Sequence, residues 1–465
     1  MAQKKTLYTL LLVMGLLLSA CASNAPSAPV EPAGPTATRQ IVVVTATPEP
    51  SATPKPLNPV QATAQALFQS VTLVAPTAGP GPDDYVGMLE EAWNIVNQNY
   101  VRDNFNGVDW PAMLEKYRPL AEKVTNQEEF WNLMTQFIGE LNDQHSRFVP
   151  PDRFSIEFGL PSDAEGSPWT GIQFYPGPAR EDQYLTIWYV CEFGPAASAG
   201  LRRGDRILAV DGTPVIRSED GFDQDLVYQA VFGDGSSNRV TLTVQQGEGS
   251  APKDVTLPLG GASGCDGWQI GILNENPRIG YLRIPNFLRG PDTTIMDALE
   301  SLEQDGPLDG LVLDVRHDPG GNSDASTAIF TQGTFGTEGP LREGKSRSLY
   351  RIRGPVRWNE TTPIALLIDG ASHSAAEYFA TAMQQSGRAT LVGMPTAGNT
   401  EGINAFNLPD GSVIRLAWTT LLLPDGSSLE GVGVQPDVRV PLGDWGLRAV
   451  PDVQLQAALN ILLGQ

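Results

Sequence analysis

IALLIDGASHSAAEYFATAM, running from Ile364 to Met383, is the stretch whose reading decides the fold of this 465-residue chain. An apolar, β-favouring run, Ile364 to Ile368, ends at Asp369-Gly370. Small residues follow, with Ser372 and Ser374 among them, and then a helical pattern sets Phe379 and Met383 on one face. The pattern predicts strand, tight turn and helix. A serine at that junction stands at a helix N-terminus, where unpaired N–H groups and the helix dipole favour negative charge. Both features suit a nucleophile whose attack creates an oxyanion. A small-residue turn capped by Ser372 or Ser374 has the same appearance, so the rest of the chain must separate the two.

Around this stretch, from Trp268 to the C-terminus, strands and helices alternate. GYLRIPNF and GLVLDVR read as strands, with a helix from about Asp292 to Gln304 between them. ATLVGMP, SVIRLAWT and the GVGVQPDV run follow the opening stretch, and a helix from Asp452 to Leu463 closes the chain. Residues 268–465 are therefore expected to form an α/β layered core. Residues 160–260 are strand-rich. Residues 83–158 are helical in pattern, with Val86, Leu89, Trp93 and Val96 on one stripe, and the helices end near Asn142-Asp143-Gln144-His145-Ser146.

The first twenty residues have the order of a targeting segment. Lys4 and Lys5 give a positive start, and Leu7 to Leu18 is apolar but short for a membrane span. Leu18-Ser19-Ala20-Cys21 then looks like a bacterial lipobox, with Cys21 as the lipidation site. Residues 21–82 are rich in Pro, Thr and Ala and are expected to be a disordered tether, because such a segment buries too little apolar surface to fold. These features place the protein in the cell envelope, extracytoplasmic and lipid-anchored to a bacterial membrane. A net charge of −22 argues against nucleic acid as a partner, since phosphate neutralisation needs clustered Lys and Arg. Two further cysteines, Cys191 and Cys265, are candidates for a disulfide in an oxidising compartment. No Cys/His cluster has metal-ligand spacing and no loop has P-loop form, so no metal and no other cofactor is expected.

Gly194 to Gly212, GPAASAGLRRGDRILAVDG, resembles the core signature of a PDZ domain. The resemblance implies binding of an extended peptide as an added strand, with the peptide carboxylate near Gly171, Ile172, Gln173 and Phe174.

Taken with DVRHDPGG, DGASHSAAE, PTAGNTEG and LPDGSSLEGVGVQPD, the order of parts resembles the C-terminal processing (tail-specific) and tricorn-type serine peptidases. That resemblance implies a core of crotonase and Clp protease type. It also implies that the nucleophile is the serine three residues before Glu377, which is Ser374, with Ser372 as competitor. Processing peptidases of the Ser–Lys type carry a lysine twenty-five residues after the serine. Here that place is Asn399, which cannot accept a proton at working pH, and Lys345 is the last lysine of the chain. The tricorn-type branch uses Ser–His–Glu. Its D-x-H-[ST] motif matches Asp143-Gln144-His145-Ser146, and its glutamate before G-x-G-x-x-P-D matches Glu430. The chemistry agrees: serine needs a base near neutral pKa, imidazole provides one, and a carboxylate fixes its tautomer. His317 and His373 are the only other histidines, and Glu401 is the rival carboxylate. The resemblance puts oxyanion donors at Ala375 and at Gly320 or Gly321.

The expectation is thus an α/β multi-domain protein: a helical N-domain, a PDZ-like β-rich domain and a crotonase/Clp-like protease core. It would be a serine endopeptidase acting on peptides or protein C-terminal regions. A catalytically inactive, PDZ-containing peptide-binding scaffold of the same fold is the alternative, with Asn399 as its motive.

Overall fold

The computed structural model describes residues 81–151, 169–174, 184–191, 194–218, 221–234, 236–260, 267–288, 290–442 and 452–465. The targeting segment with Cys21, the tether up to residue 80, residues 152–158 and Cys265 lie outside them. Among the described residues no helix is long and apolar enough to cross a membrane.

Three helices open the described chain: α1 (Tyr85–Asn99), α2 (Trp110–Ala121) and α3 (Gln127–Gly139). Asp84, Asp109 and Asn126 cap their N-termini by accepting backbone N–H groups. Strand β1 (Arg147–Val149) follows directly on the His145 loop. The apolar stripe of these helices does not close on itself. Leu89, Val96, Trp110 and Phe137 share one core with Phe406, Leu408, Ile414 and Leu416, which come from the far end of the chain.

The next region is a small sheet in the order β2 (Ile172–Phe174), β3 (Leu185–Val190), β4 (Arg206–Val210), β5 (Arg239–Gln245), β6 (Lys253–Pro258). A short helix α4 (Pro195–Ser198) and a longer one, α5 (Gln224–Phe232), cover it. Strand β2 is an edge of this sheet, and α5 packs beside it. Cys191, just after β3, is disulfide-bonded.

The C-terminal region contains β7 (Gln269–Glu275), β8 (Arg278–Arg283), α6 (Pro291–Leu302), β9 (Gly310–Asp314), α7 (Asp324–Phe330), β10 (Gly333–Gly339) and β11 (Ser348–Ile352). It continues with β12 (Ile364–Ile368), α8 (Ala375–Gln385), β13 (Thr390–Gly393), β14 (Gly402–Asn407), β15 (Val413–Leu422), β16 (Val438–Arg439) and α9 (Val453–Leu462). The main sheet runs β7-β8-β9-β12-β13-β16 and is parallel from β8 onward. Strands β9 and β12 are buried along their whole length, as a parallel sheet covered on both faces requires. Leu311, Leu313, Leu366 and Ile368 face the core under α6, α7 and α8. The alternate residues Val312, Ala365 and Leu367 face α9. A second sheet, β1-β15-β10-β11 with β14 also on β15, carries the N-terminal helices.

A cluster of rings and charges joins the small sheet to the core. Trp188 of β3 stacks on His317 beyond the end of β9, with ring centroids 5.0 Å apart and planes inclined by 16°. The Arg203 guanidinium lies 4.2 Å from the Trp188 ring centre and 2.9 Å from Asp452, the N-cap of α9. Arg316 also holds Asp452, at 2.8 Å, together with both oxygens of Asp314.

Candidate active site

Ser374 is the first residue after the β12 turn and the N-cap of α8, at φ +56° and ψ −123°. A non-glycine residue there is strained, at a cost of order 1–3 kcal/mol. Two bonds to its N–H hold it: the Asn399 carbonyl at 2.8 Å and Glu377 Oε2 at 3.2 Å. Ser372 is fully buried, and its hydroxyl donates to the Val315 carbonyl at 2.8 Å. It therefore braces the turn from inside.

The Pro319-Gly320-Gly321 turn presses against Ser374. A Cβ on Gly320, whose φ is +92°, would stand 2.7 Å from both Ala375 N and Ser374 Cβ, so only glycine permits this approach. The Gly320 N–H is engaged, donating to Asp318 Oδ1 at 2.7 Å in a local aspartate turn. The Gly320 carbonyl accepts from Phe287 N at 2.8 Å. The N–H of Gly321 projects from the opposite edge of that same trans peptide. Among the described residues it has no partner, and neither has the N–H of Ala375. Of the two glycines, Gly321 is thus the one with an uncommitted donor.

His145 arrives from the loop after α3. Asp143 Oδ1 accepts from His145 N at 2.8 Å, and Asp143 Oδ2 accepts from the Ser146 hydroxyl at 2.9 Å and the Tyr100 hydroxyl at 2.7 Å. The Ser146 hydroxyl in turn accepts from Ala417 N of β15, so the loop is tied to the second sheet. The imidazole is buried. Its Nε2 lies 2.9 Å from Glu430 Oε1 and 4.0 Å from Glu401 Oε2, and its buried Nδ1 has no hydrogen-bond partner.

Glu430 Oε2 accepts from Thr400 N (2.7 Å), Thr400 Oγ1 (3.1 Å) and Glu401 N (3.1 Å). Burial opposes ionisation of Glu430, but His145 and the Thr400 donors outweigh it and hold the carboxyl below its usual range. For Glu401 burial wins and pushes the carboxyl up, against the pull of Arg102, with which it is paired. Asn399 and Thr400 are neighbours, so one short segment bonds Ser374 on one side and Glu430 on the other.

The other two histidines are engaged elsewhere. His317 stacks on Trp188, and burial holds its pKa well below the usual value. His373 Nδ1 is 3.0 Å from the Ala371 carbonyl, and burial lowers its pKa too. Asn399 occupies no proton-accepting position: its carbonyl accepts from Ser374, and its Nδ2 is 3.4 Å from Gln144 Oε1. In the small sheet Gly171 has φ +83° and leads into β2, which presents Ile172, Gln173 and Phe174 at the sheet edge.

A serine held at a strained strand–helix turn, with adjacent free N–H donors and an imidazole–carboxylate pair linked to it by one loop, is equipped for acyl transfer. Comparison with known proteins agrees. Residues 278–440 match the model of peptidase family S41, residues 82–139 that of the tricorn protease C1 domain, and residues 186–230 that of the PDZ domain. Residues 278–440 therefore carry a peptidase family S41 region, which the chain combines with tricorn C1 and PDZ matches. It is a serine peptidase. Among the chain's relatives, a carboxyl-terminal-processing protease of Synechocystis is 28% identical over 396 residues, spanning 81% of this chain and 86% of its own length. Tricorn protease homolog 1 of Streptomyces coelicolor is 26% identical over 81% of this chain but only 35% of its own. The solved photosystem II D1 C-terminal processing protease superposes with a TM-score of 0.59, at 22% identity, over 80% of this chain and 96% of that one. That last likeness is one of fold.

Sequence reasoning missed Glu377 as a structural hub, Asp143 as the brace of the His145 loop and Arg102 as the partner of Glu401. Each acts through backbone groups or residues distant in sequence. A capping-box spacing from Ser374 to Glu377 was the one local signal available.

Proposed function

We propose that this S41 chain is a lipid-anchored, extracytoplasmic endopeptidase that cleaves peptides or protein C-terminal regions through Ser374, His145 and Glu430. The observation that carries the reading is the 2.9 Å contact between His145 Nε2 and Glu430 Oε1, made across 285 residues of chain. Because Nε2 faces the carboxylate, Nδ1 is the nitrogen left to accept the serine proton. Ser374 Oγ gives its proton to Nδ1 and bonds to the substrate carbonyl carbon. The developing oxyanion lies between the Ala375 and Gly321 N–H groups, while Gly320 supplies the clearance. Imidazolium, stabilised by Glu430, protonates the leaving amine. Water then attacks the acyl-enzyme and gives its proton to Nδ1; the imidazolium returns that proton to Ser374 Oγ as the ester bond breaks and the new carboxylic acid leaves.

Among the described residues β2 is an edge strand beside α5, which supports capture of an extended peptide as an added strand near Gly171 to Phe174. Lys4, Lys5, the apolar Leu7–Leu18 run and Leu18-Ser19-Ala20-Cys21 support lipidation at Cys21 and a position outside the cytoplasm. Asn399 motivates the inactive scaffold. The His145–Glu430 pair supplies the base that Asn399 cannot, and this favours the enzyme. The test is hydrolysis of a set of peptides with free C-termini, followed by mass spectrometry. Turnover by wild type and none by Ser374→Ala is expected; equal turnover by both proteins would refute the mechanism.

A further inference from the structure

We propose that His145, Glu401 and Glu430 form a zinc-binding site whose occupation switches the peptidase off. One ring nitrogen of His145 and one carboxylate oxygen of each glutamate all lie within 4.8 Å of one another. The two contacts to Nε2 are 2.9 and 4.0 Å. Ligands about 2.0–2.2 Å from a tetrahedral zinc stand roughly 3.3–3.6 Å apart. The two spacings to Nε2 bracket that range and the third is bounded by 4.8 Å, so side-chain shifts of about an ångström complete the shell.

Glu401 Oε2 points to a ligand independently of this spacing. It is buried, faces the imidazole, and has no hydrogen-bond partner. A buried carboxylate oxygen left unsatisfied is costly, and a cation beside it removes the cost. The other Glu401 oxygen is paired with Arg102, and Glu430 Oε2 is held by Thr400 and Glu401 N–H groups. Such contacts aim the remaining oxygens, as outer-shell bonds do at metal centres. Glu430 is 18% exposed, which opens a path for the ion. One imidazole and two carboxylates, with water in the fourth place, suit zinc; magnesium and calcium want six or more oxygens. The Arg102 charge opposes the ion, which favours reversible binding over a permanent cofactor.

Zinc on the Nε2 lone pair forces the single ring proton of neutral His145 onto Nδ1. The ring stays neutral, nothing is oxidised, and the nitrogen that should accept the Ser374 proton becomes a donor. The switch rests on the Ser–His–Glu reading; the binding site does not.

The experiment titrates full-length Ser374→Ala protein with Zn²⁺ calorimetrically and records the visible spectrum of the unmutated chain with Co²⁺. One zinc per chain, at least tenfold weaker binding in Ser374→Ala/Glu401→Gln, no competition from excess Mg²⁺ and four-coordinate cobalt bands are expected. Fluorophosphonate labelling of wild type should stop with Zn²⁺ and return with chelator. Absence of zinc binding, or equal binding after Glu401→Gln, would overturn the site. Should that variant not fold, absence of cobalt bands from the unmutated chain overturns it alone. Zinc bound with labelling unchanged overturns the switch. A wild type that binds zinc but never labels with zinc removed sinks the catalytic reading and leaves the site standing.

Discussion

Ser374 keeps its strained backbone because Glu377 sits beneath it. The Glu377 side chain is fully buried and accepts from Thr396 Oγ1 (2.5 Å), Gly398 N (2.8 Å), Asn399 N (2.9 Å) and Ser374 N (3.2 Å). Burial pushes its pKa from 4.5 up to about 7 against those four bonds. Folded Glu377 therefore holds its proton more tightly than the unfolded chain does. The stability this confers is full below pH 4.5 and is lost as pH rises through 7, a span worth about 3 kcal/mol. Urea unfolding from pH 4 to 8 should show wild type losing about that much more than Glu377→Gln; parallel curves would contradict the assignment. Ser374, His145 and Glu430 were legible as motif letters. The hub role of Glu377 was not, because three of its four donors belong to the 396–399 loop, which only folding brings near.

At the scale of elements, β9, β12 and α8 were legible because their periodicity reflects what covers them. Strand β12 buries Ile364, Leu366 and Ile368 on one face and Ala365 and Leu367 on the other, so its run is apolar throughout. Helix α8 buries Phe379 and Met383, as their spacing predicts. The 395–401 and 429–434 loops were opaque. A Cβ on Gly398, at φ +70°, would lie 2.6 Å from Val432 N, and Gly431 N donates to the Gly398 carbonyl at 2.7 Å. That close approach sets Glu430, yet its residues are more than thirty apart in sequence. The helices α1 to α3 were legible as helices, but an apolar stripe does not say what it packs against. Its partner is the sheet of β14 and β15, and that sharing carries His145 toward the core. The zinc donors escaped a search by spacing for the same reason, since they come from three separate segments.

At the scale of the whole molecule, Asp452 joins the small sheet to the core by holding Arg203 and Arg316 together. Burial raises its pKa, but the two guanidinium groups overcome this and bring it from 3.8 to about 2. The depressed value means stability present above pH 3.8 and lost as pH falls through 2, about 2 kcal/mol in size. Asparagine caps a helix as well as aspartate does. Asp452→Asn should therefore lose about 2 kcal/mol at pH 7 through the ion pairs alone and speed hydrogen exchange in Leu185–Val190; unchanged unfolding and exchange would contradict the clasp. The central claim is also one of assembly, since Ser374, His145 and Glu430 come from three distant segments. Fluorophosphonate labelling of the full-length chain tests it most directly. The account predicts labelling of wild type, His317→Ala and His373→Ala, and none of Ser374→Ala or His145→Ala. An unlabelled wild type, or His145→Ala labelled at the wild-type rate, would contradict it.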